Sequence, residues 1–250
     1  MYLFGHLQGL TTQRRIYNYF AAHWREWFPA LPTYQAFNRR LHQLTAAFEL
    51  LIDVNLHAAG KRENLALADR LIDSLPVMLA VGTRANRARV ARQWADVGFC
   101  ATKQMHYCGV KLHVVAARRL SKLPLPERLF LSPASQHDLA ALREFNPQLA
   151  DCGLFGDKAY ADTETKATLQ KRGIHLVTPY KRKRNEEETA VPRLFNRFVS
   201  SMRQPIESLF GWLIQRTGLQ NASRVRSTQG MLVHCYGKLA VACLLLTFYS

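Results

Sequence analysis

The chain has 250 residues, 48% of them hydrophobic and 21% charged, which is enough to bury a substantial core. Its 34 Lys and Arg against 18 Asp and Glu give a net charge of +16, which favours a polyanionic partner such as nucleic acid, although a merely basic cytosolic protein shows the same balance. The five cysteines lack zinc-ligand spacing and the longest apolar run, 239–249, is too short to cross a bilayer, so we expect a cytoplasmic protein with no membrane association.

The first sixty residues are predicted to form two helices. Residues 14–28 are rich in aromatic side chains and are followed by Pro29, and residues 34–58 carry an amphipathic stripe behind a capping Thr33. Residues 1–62 therefore form a small N-terminal helical region. The pattern leaves two interpretations open, a DNA-binding head or helices that pack on the rest of the chain.

The remainder, 63–250, is predicted to be a single α/β domain. A buried strand at 71–79 is followed by two more strands, after which helices and strands alternate. The further predicted elements are strands at 107–117, 128–131, 153–155 and 174–177, helices at 137–145, 163–171, 201–217 and 228–248, and a loop at 181–188. This order predicts a ribonuclease-H-like fold, a mixed five-stranded sheet flanked by helices.

Three acidic residues stand out in that arrangement. Asp73 lies inside an apolar strand, where an unpaired carboxylate costs several kcal/mol. Asp157 follows a short strand and Gly156, which is also typical of a turn aspartate. Glu207 flanks the apolar stripe of a late helix one turn after Arg203, a spacing that an ordinary ion pair also shows. In the predicted fold the first and fourth strands are neighbours, so all three residues are expected to reach one pocket.

Several segments resemble the motifs of DDE transposases, and the insertion sequence 982 family is the closest resemblance. The resemblance covers about residues 34–237. Its motifs are Leu71-Ile-Asp-Ser-Leu-Pro, Cys100-Ala-Thr-Lys, Tyr107-Cys-Gly-Val-Lys-Leu-His, Gly156-Asp-Lys-Ala-Tyr, Arg203-Gln-Pro-Ile-Glu-Ser and Val225-Arg-Ser-Thr. Members of the family carry a further N-terminal helical stretch, so this chain is similar to a shortened copy.

The resemblance implies that Asp73, Asp157 and Glu207 are catalytic metal ligands. Carboxylates are the ligands that Mg²⁺ prefers, and Mn²⁺ is expected to substitute for it. The resemblance implies an enzyme that uses two such ions to cleave DNA at the ends of a mobile element and to join those ends to target DNA. The implied partners are DNA, both terminal inverted repeats and target, and a second copy of the chain in the DNA complex. The implied location is the bacterial cytoplasm, at the nucleoid.

Basic residues supply the other expected site positions. Arg203 is expected to orient Glu207 or to hold a phosphate, and Arg216 stands near the place of a lysine that related transposases carry. His137 and Asp138 are expected to cap a helix, although they also follow the third strand close to the predicted metal site. The candidate phosphate contacts are Lys158, Lys181, Arg182, Lys183, Arg184, Arg216, Arg224 and Arg226. Two alternatives remain, a ribonuclease-H-like nuclease and a non-catalytic DNA-binding protein derived from a transposase.

Overall fold

The structure is a computed structural model that describes residues 1–65, 68–149, 151–181 and 189–248. The α-helices are α1 (Tyr2–Leu7), α2 (Gln13–His23), α3 (Tyr34–Gln43), α4 (Thr45–Arg62), α5 (Asp138–Phe145), α6 (Thr163–Gln170), α7 (Ala190–Thr217), α8 (Thr228–Leu232) and α9 (Lys238–Phe248). The strands are β1 (Arg70–Val81), β2 (Asp96–Cys100), β3 (Met105–Ala117), β4 (Leu125–Pro133), β5 (Cys152–Phe155) and β6 (Ile174–Val177).

The strands form one mixed sheet with β1 in its centre. One edge of β1 pairs with β3 in antiparallel fashion, and the other edge pairs with β5, which is parallel to both β1 and β6. The outer edge of β3 is shared, because β2 pairs with its first part and β4 with its second. The sheet is therefore five strands wide but contains six strands.

The extra strand corrects the sequence prediction of five strands. The missed strand β2 has only five residues, two of which, Val97 and Phe99, alternate around Gly98. Such a short run is a weak periodic signal. The glycine is required by packing, since a Cβ atom there would lie 2.3 Å from the backbone oxygen of Ala134.

Helix boundaries also differ from the prediction. The single helix expected at 34–58 is two helices separated at Leu44, whose N–H donates to the Leu41 carbonyl at 3.1 Å. The apolar stripe continues across this turn, since Phe37 and Phe48 are both buried, so its periodicity does not reveal the break. The aromatic helix ends at His23 rather than at 28, and α7 begins at Ala190, eleven residues before 201 (201 − 190).

Helices cover both faces of the sheet. Leu71 and Leu75 of β1 belong to the larger core, formed with α7 and the N- and C-terminal helices, whereas Ile72 belongs to a smaller core with α5 and α6. This division follows from the alternation of side chains along a strand. Neighbouring side chains of β1 therefore contact different helical layers.

The N-terminal helices pack on the C-terminal helical stretch. Thr247 of α9 donates a hydrogen bond to Asn55 Oδ1 of α4 at 2.8 Å, and its carbonyl accepts one from Arg62 at 2.6 Å. The stretch Thr228–Phe248 is long and apolar enough to cross a membrane by length and composition. Because 67% of its apolar 18-residue window is buried inside the protein, it has the packing of a core helix.

The junction of β1 and β3 provides a test of this packing. A Cβ atom on Gly109 of β3 would lie 2.0 Å from the Val77 carbonyl oxygen, so Gly109→Ala should lower the free energy of unfolding by about 1–3 kcal/mol through overpacking. Gly60→Ala is the control, because nothing lies within 4 Å of its added Cβ and a helical alanine should stabilise by about 0.5–1 kcal/mol. Urea denaturation of the two variants measures both effects, and equal stabilities would contradict the pairing.

Candidate active site

The pairing of β1 with β5 brings Asp73 and Asp157 to one end of their paired segment. The last pair is Leu71 with Phe155, so Asp73 lies two residues beyond it in β1 (73 − 71) and Asp157 lies two residues beyond the end of β5 (157 − 155). The charge of Asp157 raises the pKa of Asp73, so the two carboxylates lie within electrostatic range of one another. The Asp157 Oδ1 atom accepts a hydrogen bond from the Ala159 N–H at 2.7 Å, which fixes the turn after β5.

Asp73 is a largely buried carboxylate with two direct donors. Arg203 of α7 donates from Nη2 to Asp73 Oδ2 at 3.1 Å, and the Ser74 N–H donates to Oδ1 at 2.8 Å. Only 20% of the Asp73 side chain and 14% of the Arg203 side chain are exposed. The ion pair therefore joins the central strand to α7 inside the protein.

Burial dominates the electrostatics of Asp73. It raises the pKa of this carboxyl to about 6, and the carboxylates of Asp157 and Asp138 raise it as well. Arg203 and the Ser74 N–H act in the opposite direction without cancelling that increase. The charged form of Asp73 is consequently less stable here than in water, and an additional positive charge nearby would stabilise it.

The third carboxylate, Asp138, approaches from the opposite face of β1. Its Oδ2 atom accepts a hydrogen bond from Ser74 Oγ at 3.1 Å, and its Oδ1 atom forms an ion pair with Lys111 Nζ at 2.8 Å. His137 caps α5, since its Nδ1 atom accepts from the Leu139 N–H at 3.3 Å. The helix-capping expectation is thus confirmed for His137, whereas Asp138 also lies beside the central strand near Asp73.

Sequence reasoning gave no role to Lys111. It is the only charged residue between 105 and 117, in an otherwise buried strand. An isolated lysine in such a strand needs a partner of opposite charge. Its position in the sequence could therefore have indicated a buried ion pair. Its partner lies 27 residues farther along the chain, and only the fold identifies it.

Tyr160 completes this cluster. Its side chain is fully buried, and its hydroxyl has no hydrogen-bond partner among the described residues. Burial and the charges of Asp138, Asp73 and Asp157 raise its pKa well above the usual value. The phenol therefore remains protonated, and the charges of all three carboxylates reach its buried hydroxyl.

Glu207 is exposed on α7, one turn after Arg203, with Pro205 between them. In the described ranges, no group of three or more His, Cys, Asp or Glu side chains is arranged to hold a metal ion. The structure thus places Asp157 and Arg203 close enough to Asp73 to shift its pKa, whereas Glu207 is not among the groups that do so. The two aspartates supply carboxylate oxygens, which are the donors that a hard divalent cation prefers.

The predicted phosphate contacts lie in different places. Arg216 is near the C-terminal end of α7, beside Leu123 and Leu246 and not in the carboxylate cluster. Lys158 and Lys181 are exposed, and Arg224 and Arg226 line clefts on another part of the surface. The remaining candidates, Arg182, Lys183 and Arg184, lie outside the described residues.

The pKa of Asp73 predicts how stability depends on pH in metal-free buffer. Its folded-state value of about 6 exceeds the ordinary value of 3.8, so the native state binds this proton more tightly than the unfolded state. The contribution of Asp73 to the free energy of unfolding therefore increases as the pH falls through 6, by on the order of 1 kcal/mol between pH 7 and pH 5. Asp73→Asn should lack this component in urea titrations at both pH values. Identical pH dependence in the parent and the variant would contradict the assignment.

Comparison with known proteins identifies the family. Residues 65–228 match the model of the transposase DDE domain, and this range contains Asp73, Asp157, Arg203 and Glu207. No significant match was found among curated proteins or among solved structures. The matched range is 164 residues (228 − 65 + 1), about two thirds of the chain. The chain therefore belongs to the transposase DDE domain family.

Proposed function

We propose that this protein is an insertion-sequence transposase that cleaves DNA at the ends of its element and joins them to target DNA. The observation that carries the proposal is the electrostatic contact of Asp157 with the buried carboxylate of Asp73, with Arg203 bound to Asp73. Buried charged side chains lower the stability of a protein unless they are well paired. Buried carboxylates with shifted pKa values are therefore common at functional sites. Membership of the transposase DDE domain family agrees with it.

We also propose that the catalytic domain is ribonuclease-H-like and belongs to the insertion sequence 982 family. Three antiparallel strands, β4, β3 and β1, are followed along the chain by the parallel strands β5 and β6, which supports the fold. The motifs around Asp73, Asp157 and Glu207 support the family. In this scheme residues 63–250 form the catalytic domain and residues 1–62 a helical region that assists DNA binding.

The proposed metal ligands are Asp73, Asp157 and Glu207, with Mg²⁺ as the natural ion and Mn²⁺ as a substitute. When bound, a pair of such ions activates the attacking oxygen and stabilises the leaving oxygen of an in-line displacement. Arg203 holds Asp73 in position. Glu207 joins the aspartates by a change of side-chain conformation, which mutual repulsion opposes until positive charge is present.

The proposed partners follow from the reaction. The protein binds the terminal inverted repeats and target DNA at the nucleoid in the bacterial cytoplasm, and a homodimer holds the two element ends together. The net charge of +16 supports binding to a polyanion.

A second candidate function is that of a DNA-binding protein without catalysis. Among the described residues no group of three or more His, Cys, Asp or Glu side chains is arranged to hold a metal ion, which favours this alternative. A strand-transfer assay separates the two functions, because both predict DNA binding and only one predicts cleavage.

The triad is tested by Asp73→Asn, Asp157→Asn and Glu207→Gln. Each substitution keeps the side-chain volume and removes a carboxylate charge, so each should abolish cleavage and strand transfer while DNA binding is retained. Gel assays with labelled element ends in Mg²⁺ measure the activity, and Asp53→Asn and Glu49→Gln on α4 are matched controls. If any one of the three variants cleaves at the parental rate, that residue is not a ligand.

Salt dependence tests the role of residues 181–184. Logarithmic affinity for DNA should fall linearly with logarithmic salt concentration, at a slope of about −0.9 per neutralised phosphate. Replacing Lys181, Arg182, Lys183 and Arg184 by glutamine should make that slope shallower in fluorescence anisotropy titrations. An unchanged slope would show that this basic run does not contact phosphate.

A further inference from the structure

Two clefts meet on a part of the surface that the carboxylate site does not use. The first, of about 660 Å³, lies beside the last residues of β1. The second, of about 500 Å³, lies between the N-terminal helices and the segment that follows α7. Asn221, Ser223, Val225 and Arg226 line both clefts, so the two form one continuous groove.

The lining of this groove carries charge of one sign. No aspartate or glutamate is among its lining residues in the described part of the chain, although the whole sequence contains 18 acidic residues. We call this surface the basic groove and define it by its cationic residues, Arg14, Arg84, Arg87, Lys103, Arg224, Arg226 and Lys238.

Three of these arginines are available to a ligand. Arg84, Arg87 and Arg224 are exposed and form no hydrogen bond or ion pair with the described residues. The buried arginines behave differently, since Arg70 and Arg119 are each paired with a glutamate. Among the described residues, the cations of the groove therefore do not stabilise the fold by forming ion pairs.

The second cleft also contains polar atoms that lack partners. His6 Nδ1 and Asn38 Oδ1 are buried, line this cleft and have no hydrogen-bond partner among the described residues. Because a buried polar group without a partner costs about 1–3 kcal/mol, a ligand with hydrogen-bonding groups would complete the cleft.

The groove is fixed to the same strand that carries Asp73. The Met78 N–H donates to the Gln220 carbonyl at 2.7 Å, and the Ala222 N–H donates to the Met78 carbonyl at 2.9 Å. Met78 follows Asp73 by five residues (78 − 73), which corresponds to roughly 17 Å along an extended strand. Successive base pairs of DNA rise by about 3.4 Å along the helix axis, so a duplex lying along β1 would cover this distance in about five base pairs.

We propose that the basic groove binds the sugar-phosphate backbone of duplex DNA about five base pairs from the bond that is cleaved. The inference rests on the proposed function and adds to it a second DNA contact that supplies affinity rather than chemistry. Separated cations along an extended groove suit a chain of phosphates better than a single anion.

The experiment compares two double variants of the full chain. Arg84→Gln with Arg87→Gln removes two charges from the groove, and Lys166→Gln with Lys171→Gln removes two exposed charges from α6 and the turn after it. Fluorescence anisotropy at several salt concentrations measures binding to a duplex of about thirty base pairs. The groove variant should lower the salt slope by about 1 per residue and bind more weakly, while the control keeps the parental slope. Unchanged melting temperatures show that both variants fold.

The outcomes separate this proposal from the function on which it rests. A hairpin with a stem of about four base pairs, roughly 14 Å long, is too short to span the roughly 17 Å between the carboxylate site and the groove, so the loss caused by the groove variant should be smaller with it. If the parent binds and cleaves DNA and the groove variant binds long duplex as the parent does, the groove proposal is overturned while the function stands. If the parent does not bind duplex DNA, both fail. Tighter groove-dependent binding of duplex RNA would overturn the choice of DNA.

Discussion

The structure depends on the burial of one carboxylate in the central strand of its sheet. Asp73 lies in β1, which is paired on both edges and covered by helices on both faces, so water reaches it poorly. A charge in such a place is tolerated only with partners. Arg203 of α7 provides one from the first face. On the second face Ser74, the next residue along the strand, hydrogen-bonds Asp138 at the start of α5. The two helical layers are thus held to the same point of β1 by polar contacts as well as by apolar packing.

Those partners leave the pocket electrostatically incomplete. Arg203 pairs with Asp73 on one face of β1 and Lys111 pairs with Asp138 on the other, and the buried hydroxyl of Tyr160 has no hydrogen-bond partner among the described residues. The pKa of Asp73 is raised because its charged form is less stable in this pocket than in water. A protein selected only for stability has no reason to retain such a group. Its retention is understandable if a cation completes the pocket during function.

Charge is divided along β1 in a way that suits a polyanionic substrate. The acidic pocket lies toward the beginning of the strand, and the basic groove lies beside its end, where the segment after α7 pairs with Met78. Carboxylates repel phosphates, so affinity for DNA has to come from cations placed elsewhere on the surface. Because both surfaces are anchored to one rigid strand, their separation is fixed by the sheet and not by a flexible connection.

The sequence by itself determined the features that depend on local pattern. The apolar run around Asp73, the alternation in β3 and the glycine after α6 predicted most strands and helices, because side-chain periodicity and turn residues act over a few positions. The neighbouring positions of β1 and β5, inferred from element order, are confirmed by the pairing. Tertiary structure alone decided what depends on distant partners. β2 is a strand because the edge of β3 is open to it, and the turn at Leu44 interrupts a continuous apolar stripe. The Lys111–Asp138 pair and the acid-free groove join residues far apart in the chain, and no local pattern specifies which of many basic residues will meet which partner.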